Sequence, residues 1–358
     1  MLKIKHWIKD HHIAAFFIIT YLITWGLMFP FARLHFQKDS ILATIPLGWG
    51  LFGPALAGII ITRVISPEKE KEGRKGPPLA FFLGLILSAA VFLGNIYFQD
   101  NIEWTVVILI LAILLALIIA IPPAFVVSSA FSKNRTVKGY LESLIKPQGS
   151  FVYYLVALFL PLLSYWAGAL ITKWLDLIPY YSPTPLSGWI GFRTLGMAFF
   201  YQFFFANVLG EEVGWRGFAL PRMQARINPL FASLIIAAFW FPWHLPLKLG
   251  NPDIIPMLFY ALSFIPTSIL LTWIYNRTKG SILAVGIAHI AGNLGGKFLF
   301  PITDARLAVG FVVALILILL DRMWEKLPAN HPAVYQPREF EENKLSNSLN
   351  VWKVTSSL

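Results

Sequence analysis

The sequence predicts an all-α membrane protein, a polytopic transmembrane bundle of about ten helices (eight to ten) with no soluble domain. Of its 358 residues, 57% are hydrophobic and only 13% are charged, with a mean hydropathy of +0.66. Soluble chains carry roughly 25% charged residues. Apolar stretches of ~20 residues, the length that spans a hydrocarbon core of ~30 Å, recur along the chain. Cysteine is absent, which excludes disulfide frameworks, thiolate zinc sites and iron–sulfur clusters.

Ten apolar stretches follow one another from the N-terminus, and each is expected to form one helix. They are Ile13–Ala32, Ala43–Thr62, Pro78–Phe98, Trp104–Phe131, Phe151–Thr172, Thr194–Leu220, Pro229–Leu247, Ile254–Tyr275, Ser281–Phe300 and Leu307–Leu320. The first is too long for the core of a signal peptide and precedes no small-residue cleavage site, so we expect a retained helix. The last is short and lies between Arg306 and Asp321, so it spans only if both charges reach the membrane interface.

The positive charges indicate the orientation of the bundle. The net charge is +11, and segments expected on one side of the membrane hold 22 of the 29 Lys and Arg residues, against 7 on the other. Because cytoplasmic loops carry the excess of Lys and Arg, both termini are predicted to be cytoplasmic in a multi-pass protein of the cell membrane. The charge therefore requires no nucleic-acid partner.

The sixth stretch holds three charges within six residues, Glu211, Glu212 and Arg216. A charge near the middle of a spanning helix costs about 2.5–3.5 kcal/mol on insertion scales, so each one needs a partner or a role. Glu212 and Arg216 have the i,i+4 spacing that favours an ion pair. Adjacent residues of an α-helix point about 100° apart, which leaves Glu211 without a charged partner on its own helix. It is therefore a candidate general base.

Two of the seven histidines lie in apolar stretches. His244 follows a run of aromatic residues, which is also typical of an interface belt at the end of a membrane helix. His289 and Asn293 have i,i+4 spacing and share one helix face, which equally suits hydrogen bonding between helices. Each residue alone therefore has a structural interpretation beside the functional one.

Counting along the chain places these residues at one depth. If Ile227–Pro229 forms the turn between two helices, Glu211 and His244 each lie 16 residues from it, about 24 Å along an α-helix. Asn293 lies 15 residues from the next turn near Thr278, about 22 Å along its helix. We therefore expect polar groups from three helices to converge in one layer of the bundle.

One carboxylate, two histidines and an asparagine in a water-poor layer suit the hydrolysis of an amide bond. A Glu that activates water with help from a His, and a His and an Asn amide that donate to the oxyanion, are the minimum for this reaction. A Glu and two His are also the ligands of catalytic zinc sites, so the residue types leave a metal centre open.

The polar residues form three motifs in a fixed order. They are Glu-Glu-x-x-x-Arg (Glu211, Glu212, Arg216), aromatic-x-x-x-His (Trp240, His244) and His-x-x-x-Asn (His289, Asn293). Over Thr194–Phe300 this order resembles the CPBP family, the CAAX protease and bacteriocin-processing (Abi) family of intramembrane endopeptidases, which includes the type II CaaX prenyl endopeptidases. One departure is Trp240, since the family usually has Phe at this position.

The resemblance implies an intramembrane endopeptidase that cleaves a membrane-associated or lipidated protein or peptide substrate. In its terms, Glu211 and His244 would activate the water, and His289 and Asn293 would stabilise the oxyanion. The supporting residues would be Glu212, Arg216 and Trp240. A site without a metal cofactor is the preferred interpretation; in the zinc alternative, the ligands would be Glu211, His244 and His289.

The expected organisation has four parts. Residues 1–190 form an N-terminal transmembrane region of about five helices, 191–301 the protease core, 302–323 the last transmembrane helix and 324–358 a flexible cytoplasmic tail. Two rival functions are a proton- or ion-coupled transporter that uses the same charges as a relay, and a catalytically silent immunity or scaffold protein of the membrane. A transporter would have two related halves with broken helices in both, whereas the polar cluster here is confined to one half.

Overall fold

The computed structural model describes residues 2–32, 41–67, 77–99, 103–179, 181–183, 186, 188–248 and 254–336. Within these residues the chain is all-α, and an isolated bridge between Tyr181 and Ile302 is its only β-type pairing. The predicted fold class is therefore confirmed.

The described residues contain fifteen α-helices. The first nine are α1 (Leu2–Asp10), α2 (His12–Met28), α3 (Ile41–Gly50), α4 (Gly53–Ile65), α5 (Pro78–Gln99), α6 (Val106–Ile119), α7 (Ile121–Ala130), α8 (Arg135–Ile145) and α9 (Val152–Trp174). The other six are α10 (Gly188–Phe205), α11 (Leu220–Gln224), α12 (Pro229–Trp243), α13 (Ile254–Arg277), α14 (Ile282–Leu294) and α15 (Asp304–Leu320). The π-helical segments are Asn207–Ala219, here called the long π segment, and Gly295–Leu299. Two 3-10 turns cover Phe29–Phe31 and Leu245–Leu247.

All ten predicted stretches are helical, but they differ in length and continuity. By length and apolar composition, five helices of the described part can cross a membrane, and seven if each bent pair counts as one span. The bent pairs are α3 with α4, at 52°, and α6 with α7, at 42°. Proline occupies the first turn of α4 and of α7, and it starts a new helix there because it lacks the N–H that would continue the old one.

The sixth stretch is divided, where the sequence predicted one continuous α-helix. The backbone leaves the helical region at Ala206 (φ −140°, ψ −93°), and the long π segment follows. The amides of Gly210 and Glu211 both donate to the carbonyl of Ala206, at 3.0 and 3.1 Å, so the turn is wider than an α-helical one. Such π turns are frequent at functional sites.

The long π segment packs closely, through Gly210 and Gly214, against the start of α4 and the residues just before it. A Cβ atom at Gly214 would lie 2.5 Å from the carbonyl oxygen of Pro54, and one at Gly210 would lie 2.8 Å from that of Leu51. The hydroxyl of Tyr140 also donates to the carbonyl of Val213 at 2.6 Å. These contacts fix the position of the segment that carries Glu211.

The described part of the expected flexible tail is packed against the bundle. The side-chain amide of Gln224 donates to the carbonyl of Ala333 at 2.9 Å, and the backbone N–H of Tyr335 donates to the carbonyl of Pro221 at 3.0 Å. The guanidinium of Arg222 lies 4.0 Å from the ring centroid of Tyr335. Sequence analysis missed this docking because a few isolated contact residues form no periodic apolar pattern. Residues 337–358 lie outside the described residues.

Candidate active site

The structure brings all seven predicted site residues together. Glu211, Glu212 and Arg216 come from the long π segment, Trp240 and His244 from the end of α12, and His289 and Asn293 from α14. Five of them line one cavity of about 1090 Å³, namely Glu211, Trp240, His244, His289 and Asn293. The predicted convergence of three helices is therefore observed, although the count of 1.5 Å per residue does not hold along a π segment.

Glu211 is held by two hydrogen bonds and faces His244. Its side chain is 4% exposed, and its Oε2 atom accepts the indole N–H of Trp240 at 2.7 Å. Its Oε1 atom accepts a hydrogen from the Nδ2 atom of Asn207 at 3.3 Å. Its Oε2 atom also lies 3.8 Å from the Nε2 atom of His244. The carboxylate is thus fixed in orientation without a cation in contact.

His244 presents its unprotonated ring nitrogen to Glu211. It follows the last residue of α12, and its Nδ1 atom lies 2.9 Å from the carbonyl oxygen of Trp240. Because a carbonyl only accepts, Nδ1 carries the hydrogen and Nε2 of the neutral ring is an acceptor. The Nε2 atom of His244 and the carboxylate of Glu211 are therefore two acceptors on one cavity wall.

Glu212 lies behind this cavity wall and binds two buried side chains, those of Arg216 and His289. Its Oε1 atom accepts from Arg216 at 3.0 Å, which confirms the predicted i,i+4 pair, and from the Nδ1 atom of His289 at 2.7 Å. The guanidinium of Arg216 lies 4.4 Å from the ring centroid of Trp240 and donates to Ser268 at 3.3 Å. Glu212 therefore fixes the ring of His289 as well as neutralising Arg216.

Asn207 joins these groups, and sequence analysis gave it no role. Its Nδ2 atom donates to the Nε2 atom of His289 at 3.0 Å as well as to Glu211, and its Oδ1 atom accepts from Asn293 at 3.2 Å. The side chain is buried, with 2% of the residue exposed. In the sequence, Asn207 lies four residues before Glu211, which indicates that the two side chains can meet. Only the fold shows that His289 and Asn293 of α14 are its other two partners.

Trp240 does more than shape the pocket. The family resemblance placed Phe at this position, and Phe has no N–H to donate. Here the indole N–H binds Glu211 directly, and the ring packs edge-on against His289, with centroids 5.1 Å apart. The departure from the family pattern therefore adds one hydrogen bond to the candidate general base.

The arrangement does not fit the alternative zinc ligand set. Both ring nitrogens of His289 are occupied, by Glu212 and Asn207, so His289 has no free nitrogen to offer a metal ion. Within the described residues, no group of three or more His, Cys, Asp or Glu side chains is arranged to hold a metal ion.

The segment that carries these residues is similar to known proteins. Residues 193–295 match the family model described as Rce1-like, type II CAAX prenyl endopeptidase. The CAAX prenyl protease 2 of Methanococcus maripaludis is 34% identical over 131 residues, which cover 33% of this chain and 48% of that protein. The chain thus matches about half the length of this curated relative. Residues 193–295, which contain Asn207 and every predicted site residue, are the part of the chain that matches this model of type II CAAX prenyl endopeptidases.

Proposed function

We propose that the protein is an intramembrane endopeptidase in which Glu211 and His244 activate the attacking water. The observation that carries the proposal is the pair of acceptor atoms, Glu211 Oε2 and His244 Nε2, 3.8 Å apart at the cavity wall. One water molecule can donate a hydrogen bond to each of two acceptors at this separation. The match of residues 193–295 to a protease family supports the same reaction.

The water would transfer a proton to Glu211 while its oxygen attacks the carbonyl carbon of the peptide. The resulting oxyanion would accept a hydrogen bond from the Nδ2 atom of Asn293, which has two hydrogens and shares one with Asn207. His289 would donate a second bond from Nε2 when that atom carries a proton taken up from solvent before the attack, which releases the amide of Asn207 and leaves the charge of the ring beside Glu212. Glu211 would then return its proton to the leaving amine, which breaks the C–N bond.

The substrate we propose is a membrane-associated or lipidated protein or peptide, reached from the lipid bilayer. The cavity has a volume of about 1090 Å³ and carries apolar and aromatic side chains such as Phe264 and Tyr260 beside the candidate catalytic residues. The curated relative is called a CAAX prenyl protease, which supports a lipid-modified substrate for this chain too.

The test of the reaction is Glu211→Gln in purified protein with a peptide substrate. Glutamine keeps the size of the side chain, and its single amide oxygen can still accept the indole N–H of Trp240. Its NH₂ group replaces the oxygen that accepts the long 3.3 Å bond from Asn207, so that bond is lost, and the side chain cannot take a proton from water. We therefore expect kcat to fall by about 10²–10⁴ while the melting temperature stays close to that of the wild type. Near-normal cleavage by the variant would show that Glu211 is not the base. In cells, membrane proteomics of wild type and variant should identify the substrate as an uncleaved precursor.

A second measurement tests the proposal that no metal takes part. In the oxyanion role, Asn293→Ala should lower kcat by roughly 10²–10³ with little change in KM, because the bond strengthens only in the transition state. Strong chelators should leave the wild type active. One equivalent of zinc in active protein, lost together with activity on chelation, would overturn the metal-free mechanism.

We also propose that both termini face the cytoplasm, from the bias of 22 against 7 in Lys and Arg. Reporter fusions after Leu320 should be cytoplasmic, and fusions in the loop between α5 and α6 should lie on the opposite side. A reporter after Leu320 found on the outside would mean that α15 does not span the membrane.

A further inference from the structure

Three cationic side chains share the cavity wall with the candidate catalytic residues: Lys248, Lys297 and Arg306. Lys248 lies four residues after His244, and Lys297 lies four residues after Asn293. Each lysine is therefore about one helical turn beyond a residue of the site.

All three cations lie at the same end of the bundle. The opposite end is marked by the ion pair between Arg277, the last residue of α13, and Asp321, which follows α15. Lys248 comes after α12 has run away from that end, and Arg306 lies in the first turn of α15. Lys297 follows α14, which starts at Ile282, near Arg277, so all three positive charges lie at the end of the bundle away from the Arg277–Asp321 pair.

Aromatic rings contact these cations but do not neutralise their positive charge. The ammonium of Lys248 lies 4.2 Å from the ring centroid of Tyr260, and the guanidinium of Arg306 lies 4.1 Å from that of Tyr165. Among the described residues, none of the three cations forms an ion pair with a carboxylate. A cation–π contact orients a cation but leaves its charge in place.

Among the described residues that line the cavity, positive charges outnumber negative charges. Of the described residues that line it, Glu211 is the only carboxylate, and it faces His244 and receives Trp240 instead of meeting a cation. Three positive charges beside an apolar cavity raise the local concentration of an anion and favour its binding. The cavity is therefore complementary to a ligand that is largely apolar and carries a negative group at one end.

We propose that Lys248, Lys297 and Arg306 form a subsite for a carboxylate of the substrate peptide, and so contribute to substrate specificity. The proposal rests on the proposed function, since it is the peptide bound at Glu211 that would present this carboxylate. Glu211, His244 and the three cations line one cavity, so a single peptide bound there would contact both the proposed water site and the cations. The carboxylate is either the C-terminus of the peptide or an acidic side chain near the scissile bond.

The test uses full-length Glu211→Gln protein in nanodiscs of zwitterionic lipid, which allows binding to be measured without turnover. Three fluorescent peptides of one apolar sequence are compared: a free C-terminal carboxylate, a C-terminal amide, and an amide with Glu as the last residue. Charge-assisted hydrogen bonds predict that a carboxylate peptide binds about tenfold or more tightly than the neutral amide at low salt. High salt should reduce the difference. Preference for the free terminus alone, or for both carboxylate peptides, supports the subsite and identifies which carboxylate it takes.

Single variants Lys248→Gln, Lys297→Gln and Arg306→Gln should each reduce the carboxylate preference several-fold and leave binding of the neutral amide peptide unchanged. Lys173→Gln is the matched control, because Lys173 is an exposed cation in the last turn of α9 and does not line the cavity. The Lys173→Gln protein should keep the full preference for carboxylate peptides over the neutral amide. Equal binding of all three peptides overturns the proposal, and so does a preference that persists in all three variants.

Two further outcomes separate this proposal from the proposed function. If wild-type protein cleaves the amide and carboxylate peptides with the same KM, the subsite is refuted and the peptidase stands. If no peptide is cleaved while binding depends on the carboxylate and the three cations, the peptidase is refuted and the subsite stands. If binding instead follows the content of anionic lipid and not the charge of the peptide, the cations hold a lipid phosphate and the proposal is overturned.

Discussion

Gly214→Ala tests whether the contact between the long π segment and α4 positions the candidate active site. The added Cβ atom would lie 2.5 Å from the carbonyl oxygen of Pro54, against ordinary contact from 3.4 Å, so the backbones must separate by about 0.9 Å. Neither backbone can rotate out of the way as a side chain can. Overpacking of this kind costs typically ~1–3 kcal/mol, and a displacement of ~1 Å in a catalytic group can cost ~10²-fold in rate.

The assay combines the melting temperature of purified protein with kcat on a peptide substrate. We expect Gly214→Ala to melt several degrees lower and to lose about 10²-fold in kcat, since Glu211 lies three residues away on the same segment. Gly196→Ala in α10 is the matched control, because no atom lies within 4 Å of its added Cβ. A Gly214→Ala protein with unchanged stability and rate would refute the view that this contact sets the position of Glu211.

Three other changes have distinct expected results. Trp240→Phe removes the N–H bound to Glu211 and keeps the aromatic ring, so kcat should change while the free energy of unfolding drops by no more than the ~1–3 kcal/mol of one lost charge-assisted bond. An unchanged kcat would make Trp240 purely structural. Asn207→Ala removes three hydrogen bonds of a buried amide, and kcat should fall more than KM changes; an effect on protein yield alone would contradict a positioning role. Burial lowers the pKa of His331 below its usual value of 6.5, so the docked segment binds fewer protons than the released one. The contribution of His331 to docking is therefore full above its usual pKa of 6.5 and is lost as the pH falls below that value. Corrected amide exchange of residues 331–336 should rise as the pH is lowered from about 6.5 to 5, and rise less in His331→Gln.

The fold class, and the grouping of the candidate site residues in one cavity, could be predicted from the sequence because both depend on local patterns. Apolar stretches of membrane-spanning length define helices, and charged residues inside them need partners. The ion pair of Glu212 and Arg216 followed from spacing alone. It forms even though the segment is π-helical, because its two ends still meet within one turn.

What the sequence could not predict depends on contacts between distant elements. The bond from His289 to Glu212 and the bonds of Asn207 require the orientation of α14 relative to the long π segment. The docking of residues near Ala333 depends on single buried side chains, for which no periodic pattern exists. The division at Ala206 has no sequence signature, since close packing against α4 determines the backbone there.

The hydrogen bonds among Asn207, Glu211, His289 and Asn293 have a consequence for how a substrate is accepted. In the free protein these groups bind one another, and Asn293 keeps one hydrogen that is not shared with Asn207, so a peptide that moves any of them breaks existing hydrogen bonds. A peptide that is misplaced by one residue would break these bonds without replacing them, and would be released. A correctly placed peptide offers its oxyanion to Asn293 in return. Substrates would then differ more in kcat than in binding affinity. Most sequences would bind with modest affinity, and a few would be cleaved rapidly.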